Sequence, residues 1–321
     1  QYLPDGSGYT YLRGGGLLRV EFGDHRIGQL DPELKDGGRM VGSRISPDGN
    51  RLVFLANRGD SYWGSGRQVT IVNYRDRFAQ ARQVTRHMPD DPWPDAFSSV
   101  YLYDLRGHDT EEGTLERVFT KRVTGPRDIM RVPEWSPDSS RVAFAAFEQS
   151  TGLIKILEAG FVSEDDKDAD KAGEKDEKKA EDEAAEGAED KPAAEGESKE
   201  EEKPEFEVEN AEVVYEFYHF GGPNTPGMVD PQYLPDSRRL AFITELSGFR
   251  QLHLLDPAYQ QLTQLTEGNF EVYPFDISED HSTLFVTATK EDPNQEHAYA
   301  VDLASGEMTL LTPGQGVFSS V

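Results

Sequence analysis

The chain has 321 residues, 60 acidic against 33 basic side chains for a formal net charge of −27, 36% hydrophobic residues and no cysteine. The missing cysteine excludes a disulfide framework and thiol catalysis, and the charge argues against a nucleic-acid surface, because phosphate recognition needs a concentrated basic face. No apolar run approaches the roughly 18 residues of a membrane-spanning helix. Cysteine usage leaves the compartment open, with a periplasmic or secreted setting preferred to the cytoplasm.

Along the chain, the first element is a turn feeding a strand, QYLPDGSGYTYL at Gln1 to Leu12. RGGGLL at Arg13 to Leu18 lies between two strand patterns and reads as a hairpin turn rather than a phosphate-binding loop. A second turn and strand follow at Arg44 to Phe54, RISPDGNRLVF. In Ser46-Pro47-Asp48-Gly49 the proline presets φ for the second position of a type I turn, while serine and glycine suit the first and fourth. Tyr62 to Ala96 is rich in Pro, Asp and Gly and suits either an inserted loop or an eroded repeat. Inside it, Arg75, Arg77 and Arg82 interleave with Asp76, which favours salt bridges or a channel lining over a nucleic-acid patch. VYLYDL at Val100 to Leu105 is a strand ending in aspartate.

WSPDSSRVAF at Trp135 to Phe144 repeats the turn and strand, and YLPDSRRLAF at Tyr233 to Phe242 rewords it. Between them, Ser163 to Glu207 holds 21 acidic and 8 basic residues, and Phe206 is its only large apolar side chain. Such a segment buries too little surface to offset ordering entropy, so residues 163–207 are expected to be a disordered insertion within one repeat. QLHLLD at Gln251 to Asp256 and QLTQLT at Gln261 to Thr266 add two strands. FDISEDHSTLFV at Phe275 to Val286 is a weaker copy of the turn, followed by AYAVDL at Ala298 to Leu303 and MTLLT at Met308 to Thr312.

Five copies of one phrase are thus present, with aspartates at 5, 48, 138, 236 and 280, spaced by 43, 90, 98 and 44 residues. Removing the acidic insertion leaves a unit of about 43 to 53 residues with four short strands, the signature of a β-propeller blade. The expected fold is therefore all-β, a propeller of four-stranded antiparallel blades with about five to six blades present. Its first part is 1–162 and its second part 208–321, on either side of the 163–207 insertion. A single blade cannot bury both faces, so blades must stack.

Chemistry is sparse. GDSYWG at Gly59 to Gly64 is the nearest string to a nucleophile elbow, but Trp63 stands where glycine is needed and no helical pattern follows Ser61. The histidines at 25, 87, 108, 219, 253, 281 and 297 never reach metal-ligand spacing, although ligands from different blades can converge. Glu111-Glu112 could anchor an amino group by charge, and a solvated turn explains the pair equally well. No residue is assigned a catalytic, cofactor-binding or metal-binding role, and no cofactor is expected.

The Ser-Pro-Asp-Gly blades resemble those of TolB-type propellers and of the prolyl oligopeptidase superfamily. TELSGFRQLHLLD, QLTEGNFEV and ATKEDPNQEHAYAVDLASGEMTLLTPGQG, within Thr244 to Gly316, narrow this: they resemble the amino-terminal propeller of dipeptidyl-peptidase IV-like serine peptidases. The chain departs from that family at Ser247-Gly248, where Asp-Gly is usual, and at Leu255, where an aromatic is usual. Glu111-Glu112 lies 23 residues before Trp135, too far to take the role of the family's substrate-anchoring glutamates. The resemblance implies a further blade and an α/β-hydrolase domain beyond Val321 that carries the Ser, Asp and His. It also implies peptide substrates and a steric gating role for the propeller, with homo-oligomerisation possible. Two other functions fit the repeats: a TolB-like periplasmic protein-binding propeller, and a metal-dependent propeller lyase acting on acidic sugars.

Overall fold

A computed structural model describes residues 1–59, 67–74, 79–86, 95–110, 114–123, 131–148, 151–161, 206–219, 229–278 and 282–318. These residues form five antiparallel sheets in chain order. The first has β1 (Gly8–Arg13), β2 (Gly16–Glu21) and β3 (Ile27–Gln29), with Tyr2 bridged to Tyr9 as its inner edge. Next come β4 (Arg39–Ile45) and β5 (Arg51–Gly59), then a separate ribbon of β6 (Arg67–Asn73) and β7 (Gln80–Arg86). The second sheet resumes with β8 (Ala96–Asp104), a 3₁₀ turn at Leu105–Thr110, and β9 (Leu115–Arg122). The third contains β10 (Glu134–Trp135), β11 (Arg141–Glu148), β12 (Leu153–Gly160) and, after the short β13 (Phe206–Val208), β14 (Ala211–Tyr218). In the fourth are β15 (Gln232–Tyr233), β16 (Leu240–Thr244), β17 (Gln251–Asp256) and β18 (Gln261–Gln264). The fifth has β19 (Val272–Ile277), β20 (Thr283–Ala288), β21 (His297–Asp302) and β22 (Met308–Leu310).

Register decides the 90-residue spacing that the sequence left open. β5 pairs directly with β8, from Arg51 opposite Asp104 to Gly59 opposite Ala96. Residues 60–95 are therefore an insertion in one blade, and among the described residues β6 and β7 pair only with each other. The acidic insertion interrupts the third sheet between β12 and β14, which pair from Leu153 opposite Tyr218 to Ala159 opposite Ala211. Its end differs from expectation. Phe206 and Glu207 already belong to β13, which adds a fifth strand to β9 of the preceding sheet. Backbone pairing captures these residues across sheets, which side-chain composition alone does not reveal. The remainder, 163–205, lies outside the described residues.

The repeated strands read as continuous apolar runs because each inner sheet is covered on both faces, and successive side chains alternate between them. On β5, Leu52, Phe54 and Ala56 pack with Leu3, Leu17 and Leu30 of the first sheet. Val53 and Leu55 pack instead with Trp135, Val142 and Phe144 of the third. The third and fourth sheets share Ile154, Ile156, Tyr233 and Phe242; the fourth and fifth share Ala241, Leu252, Val272 and Leu284. Each fully buried Leu, Val or Phe contributes about 1.5–3 kcal/mol. Among the described residues none of these four clusters joins the fifth sheet to the first.

The repeated turn is itself a fastener. Ser46 Oγ donates to Asp48 Oδ1 at 2.5 Å and accepts from the Arg51 N–H at 2.9 Å, while the Asn50 N–H donates to Asp48 Oδ1 at 3.0 Å. Ser136, Asp138, Ser140 and Arg141 reproduce the pattern. In the weaker fifth copy, Ser278 Oγ still accepts from the Thr283 N–H at 3.1 Å. Successive turns also link to one another: the Asp48 N–H donates to Ser139 Oγ at 3.0 Å, and the Asp138 N–H to Ser237 Oγ at 3.1 Å. Ser139 and Ser237 sit at φ 63° and 55°, the place that Gly49 fills at φ 77°. These serines tolerate a left-handed backbone because their hydroxyls tie adjacent blades together.

Candidate functional site

The position four residues before each turn aspartate is polar in all five copies: Gln1, Arg44, Glu134, Gln232 and Asp276. In four sheets it falls on a terminal strand, β4, β10, β15 or β19, and in the first it precedes the Tyr2 bridge. Gln1 makes a backbone-like link, its Oε1 accepting from the Ile45 N–H at 3.0 Å. Arg44 forms an ion pair with Glu134. Beside them Arg131 Nη1 lies 3.5 Å from Asp230 Oδ2. Burial pushes the Asp230 carboxyl above its ordinary value against the pull of Arg131 and Arg44. Burial likewise lowers Arg44, opposed by Asp230. Arg44 and Glu134 of two terminal strands thus combine with Arg131 and Asp230, from the segments leading into β10 and β15, into one group of two guanidinium and two carboxylate groups.

Local packing sets this group in place. The Trp135 indole N–H donates to the Arg44 carbonyl at 3.0 Å, fixing the third sheet's inner strand against the second. A bulge falls between Met40 and Gly42 in β4, and a Cβ on Gly42 would stand 2.3 Å from Val132 Cγ2. Only glycine lets the segment bearing Arg131 lie so close. The next sheet is anchored similarly: Tyr233 Oη donates to buried Glu158 Oε1 at 2.7 Å, and Arg141 Nη1 donates to Glu158 Oε2 at 3.0 Å. Burial and the Glu158 charge push the Tyr233 hydroxyl far above the usual tyrosine range. Guanidinium and carboxylate groups in this arrangement can steer and orient a charged or dipolar chain.

Of the residues singled out in the sequence, Ser61, Arg75, Arg77, His87, Glu111, Glu112 and His281 lie outside the described residues. Arg82 is exposed on β7, opposite Ile71. The remaining histidines are dispersed one to a sheet. His25 is in the β2–β3 turn, His108 bonds Tyr103 and the Gln29 carbonyl, and His219 meets Phe147 edge-on. His253 is buried in β17, its pKa lowered by burial, and His297 bonds the Thr312 carbonyl at 2.7 Å. Among the described residues no three His, Asp or Glu side chains form a group able to hold a metal. Arg13 to Leu18 is the expected hairpin, with Gly14 and Gly15 both at positive φ. The turn aspartates are structural in the four copies where their contacts are described.

Arg44, Arg131, Glu134 and Asp230 escaped the sequence reading. The polar residue fixed four places before each turn aspartate was an available signal for Arg44 and Glu134, but not for Arg131 or Asp230.

The family-like stretch also acquires a physical role. Gln251, fully buried, donates through Nε2 to the carbonyls of Gly268 and Phe270, and accepts from Thr266 Oγ1 at 2.6 Å. The Glu271 carboxylate accepts from the Arg250 N–H at 3.0 Å, and the Val272 N–H donates to the Arg250 carbonyl at 2.9 Å. These bonds lock the β16–β17 hairpin to the fifth sheet.

Comparison with known proteins agrees with this architecture. Residues 208–319 match the family model described as the dipeptidyl peptidase IV (DPP IV) N-terminal region. The crystal structure of Porphyromonas gingivalis dipeptidyl peptidase 4 is similar over 99% of this chain and 39% of its own, at 14% identity and TM-score 0.56. A putative dipeptidyl aminopeptidase IV from Bacteroides ovatus ATCC 8483 is similar over 94% and 39%, at 14% identity and TM-score 0.50. A putative TolB from Agrobacterium tumefaciens aligns over 98% and 81%, at 14% identity and TM-score 0.44. The chain therefore spans about two fifths of the length of the two peptidase structures. Residues 208–319 carry the resemblance to the N-terminal region of the dipeptidyl peptidase IV family, within a β-propeller fold that continues through the preceding blades.

Proposed function

We propose that this chain is the non-catalytic propeller of a serine peptidase, gating access and selecting short peptides for an α/β-hydrolase domain supplied outside its residues. The observation that carries this reading is the match of residues 208–319 to the DPP IV N-terminal region. The grouped charges supply a physical means of selection: Arg44, Arg131, Glu134 and Asp230 interact favourably with a dipolar peptide of either orientation and leave bulky folded chains to be excluded sterically. Bond cleavage belongs to the hydrolase domain.

The test is hydrolysis of glycyl-prolyl-p-nitroanilide by this chain alone and by a polypeptide that also carries the hydrolase domain. The chain alone should release no p-nitroaniline, and the longer polypeptide should release it while sparing intact folded proteins. Turnover by the chain alone would sink the proposal, as would cleavage of folded proteins by the longer polypeptide.

A further inference from the structure

The junction between the first and second blades offers a second opening. A cavity of about 350 Å³ opens there, within the size range of small-molecule sites. Its apolar lining comes from Leu3, Leu30 and Ile45, all buried, together with Leu105. The polar lining is unusual for a chain of net charge −27: Arg19, Arg26 and Arg106 face the cavity, with Glu21 the one carboxylate among the lining residues. Glu21 is shared, 3.4 Å from Arg19 Nη2 and 4.0 Å from Arg26 Nη2. Arg26 and Arg106 also pair with Asp24 and Asp104, residues outside the lining. The Arg19 Nε is closed off from water and has no hydrogen-bond acceptor among the described residues. The Arg19 side chain as a whole is 39% exposed, so the rest of its guanidinium stays open to an anion in the cavity.

We propose that this inter-blade cavity binds a small carboxylate with an apolar body, its carboxylate meeting Arg19 and its apolar part lying on Leu3, Leu30 and Ile45. The walls are held independently of any ligand. His108 bridges the blades, one ring nitrogen 2.8 Å from the Gln29 carbonyl and the other 2.9 Å from Tyr103 Oη. The Leu105 N–H donates to the Asn50 carbonyl at 2.9 Å, joining the 3₁₀ turn to the repeated turn. The site is thus preorganised, which favours affinity for a small ligand.

Titration calorimetry at low salt with N-acetyl-leucine tests the proposal, with N-acetyl-leucinamide and inorganic phosphate as comparators. N-acetyl-leucine should bind saturably, and the amide, which lacks the charge, at least about tenfold more weakly, a difference of about 1.4 kcal/mol. Arg19→Gln should weaken N-acetyl-leucine by a similar factor while the melting temperature holds. If that variant fails to fold, Arg106→Gln on the opposite wall gives the same reading. Absence of saturable binding, equal binding of acid and amide, or binding unaffected by both substitutions would overturn the proposal. Tighter binding of phosphate than of N-acetyl-leucine would overturn it too, since the apolar lining would then play no part.

Discussion

At the residue scale, the turn aspartates show how a recurrent residue can be structural and still be charged. Burial raises the Asp48 carboxyl, but the Ser46 hydroxyl, the Asn50 amides and Arg51 outweigh it and hold the group below its ordinary 3.8. At Asp138 the Ser136 hydroxyl is the leading cause of the lowering. A carboxyl depressed in the folded state adds stability that is complete above its unfolded pKa and disappears as pH falls through the folded one. Acid unfolding should therefore begin below about pH 4. Asp48→Asn combined with Asp138→Asn should flatten that acid limb in circular dichroism. An unchanged limb would show that other carboxylates control it. Ser139 offers a sharper test, because its hydroxyl accepts the Asp48 N–H while its backbone stays left-handed. Ser139→Ala should cost about 1–3 kcal/mol by leaving that donor unpaired. Ser139→Gly should cost less, since glycine removes about 1–2 kcal/mol of left-handed strain. Urea denaturation of the two variants gives the order, and a more damaging glycine would contradict it. The role of Asp48 in the turn was legible from the sequence; the Ser139 link was not, because its partner is 91 positions away.

At the element scale, the two insertions fall where strands can tolerate them. β5 and β8 remain paired to Gly59 and Ala96, so a tight turn could replace residues 60–94 without disturbing the second blade. That deletion should leave the β circular-dichroism signal and the cooperative melt intact, provided Gly59 is kept. A Cβ on Gly59 would lie 2.0 Å from the Asp95 carbonyl oxygen. Gly42 makes the opposite prediction for β4. Gly42→Ala should destabilise the chain by about 1–3 kcal/mol through its clash with Val132, and Val132→Ala should restore much of the loss. Differential scanning calorimetry of the single and double variants would show whether the two positions couple. The sequence displayed the strands and their order clearly because apolar runs and turn residues are local signals. It could not show that β13 leaves its own blade for β9, since strand pairing over such a distance depends on which free edge is nearby.

At the scale of the whole molecule, roughly half of the net negative charge, 13 of 27, belongs to residues 163–207, whereas the four inter-blade cores come from the repeats. Replacing 163–205 with a flexible Gly-Ser linker should therefore leave the melting temperature within experimental error while raising the isoelectric point. A large fall in stability would mean that the segment packs on the blades. By itself the sequence determined the all-β class, the repeat, the blade unit and the family-like stretch, because periodic burial and turn chemistry are written in neighbouring residues. Only the tertiary structure decided that the 90-residue spacing is one blade. It alone gathered Arg44, Glu134, Arg131 and Asp230, and set Arg19 beside Arg106 around one cavity. Those groups come from different blades, and stacking, which depends on the fit of whole sheets, is what brings them within reach of one another.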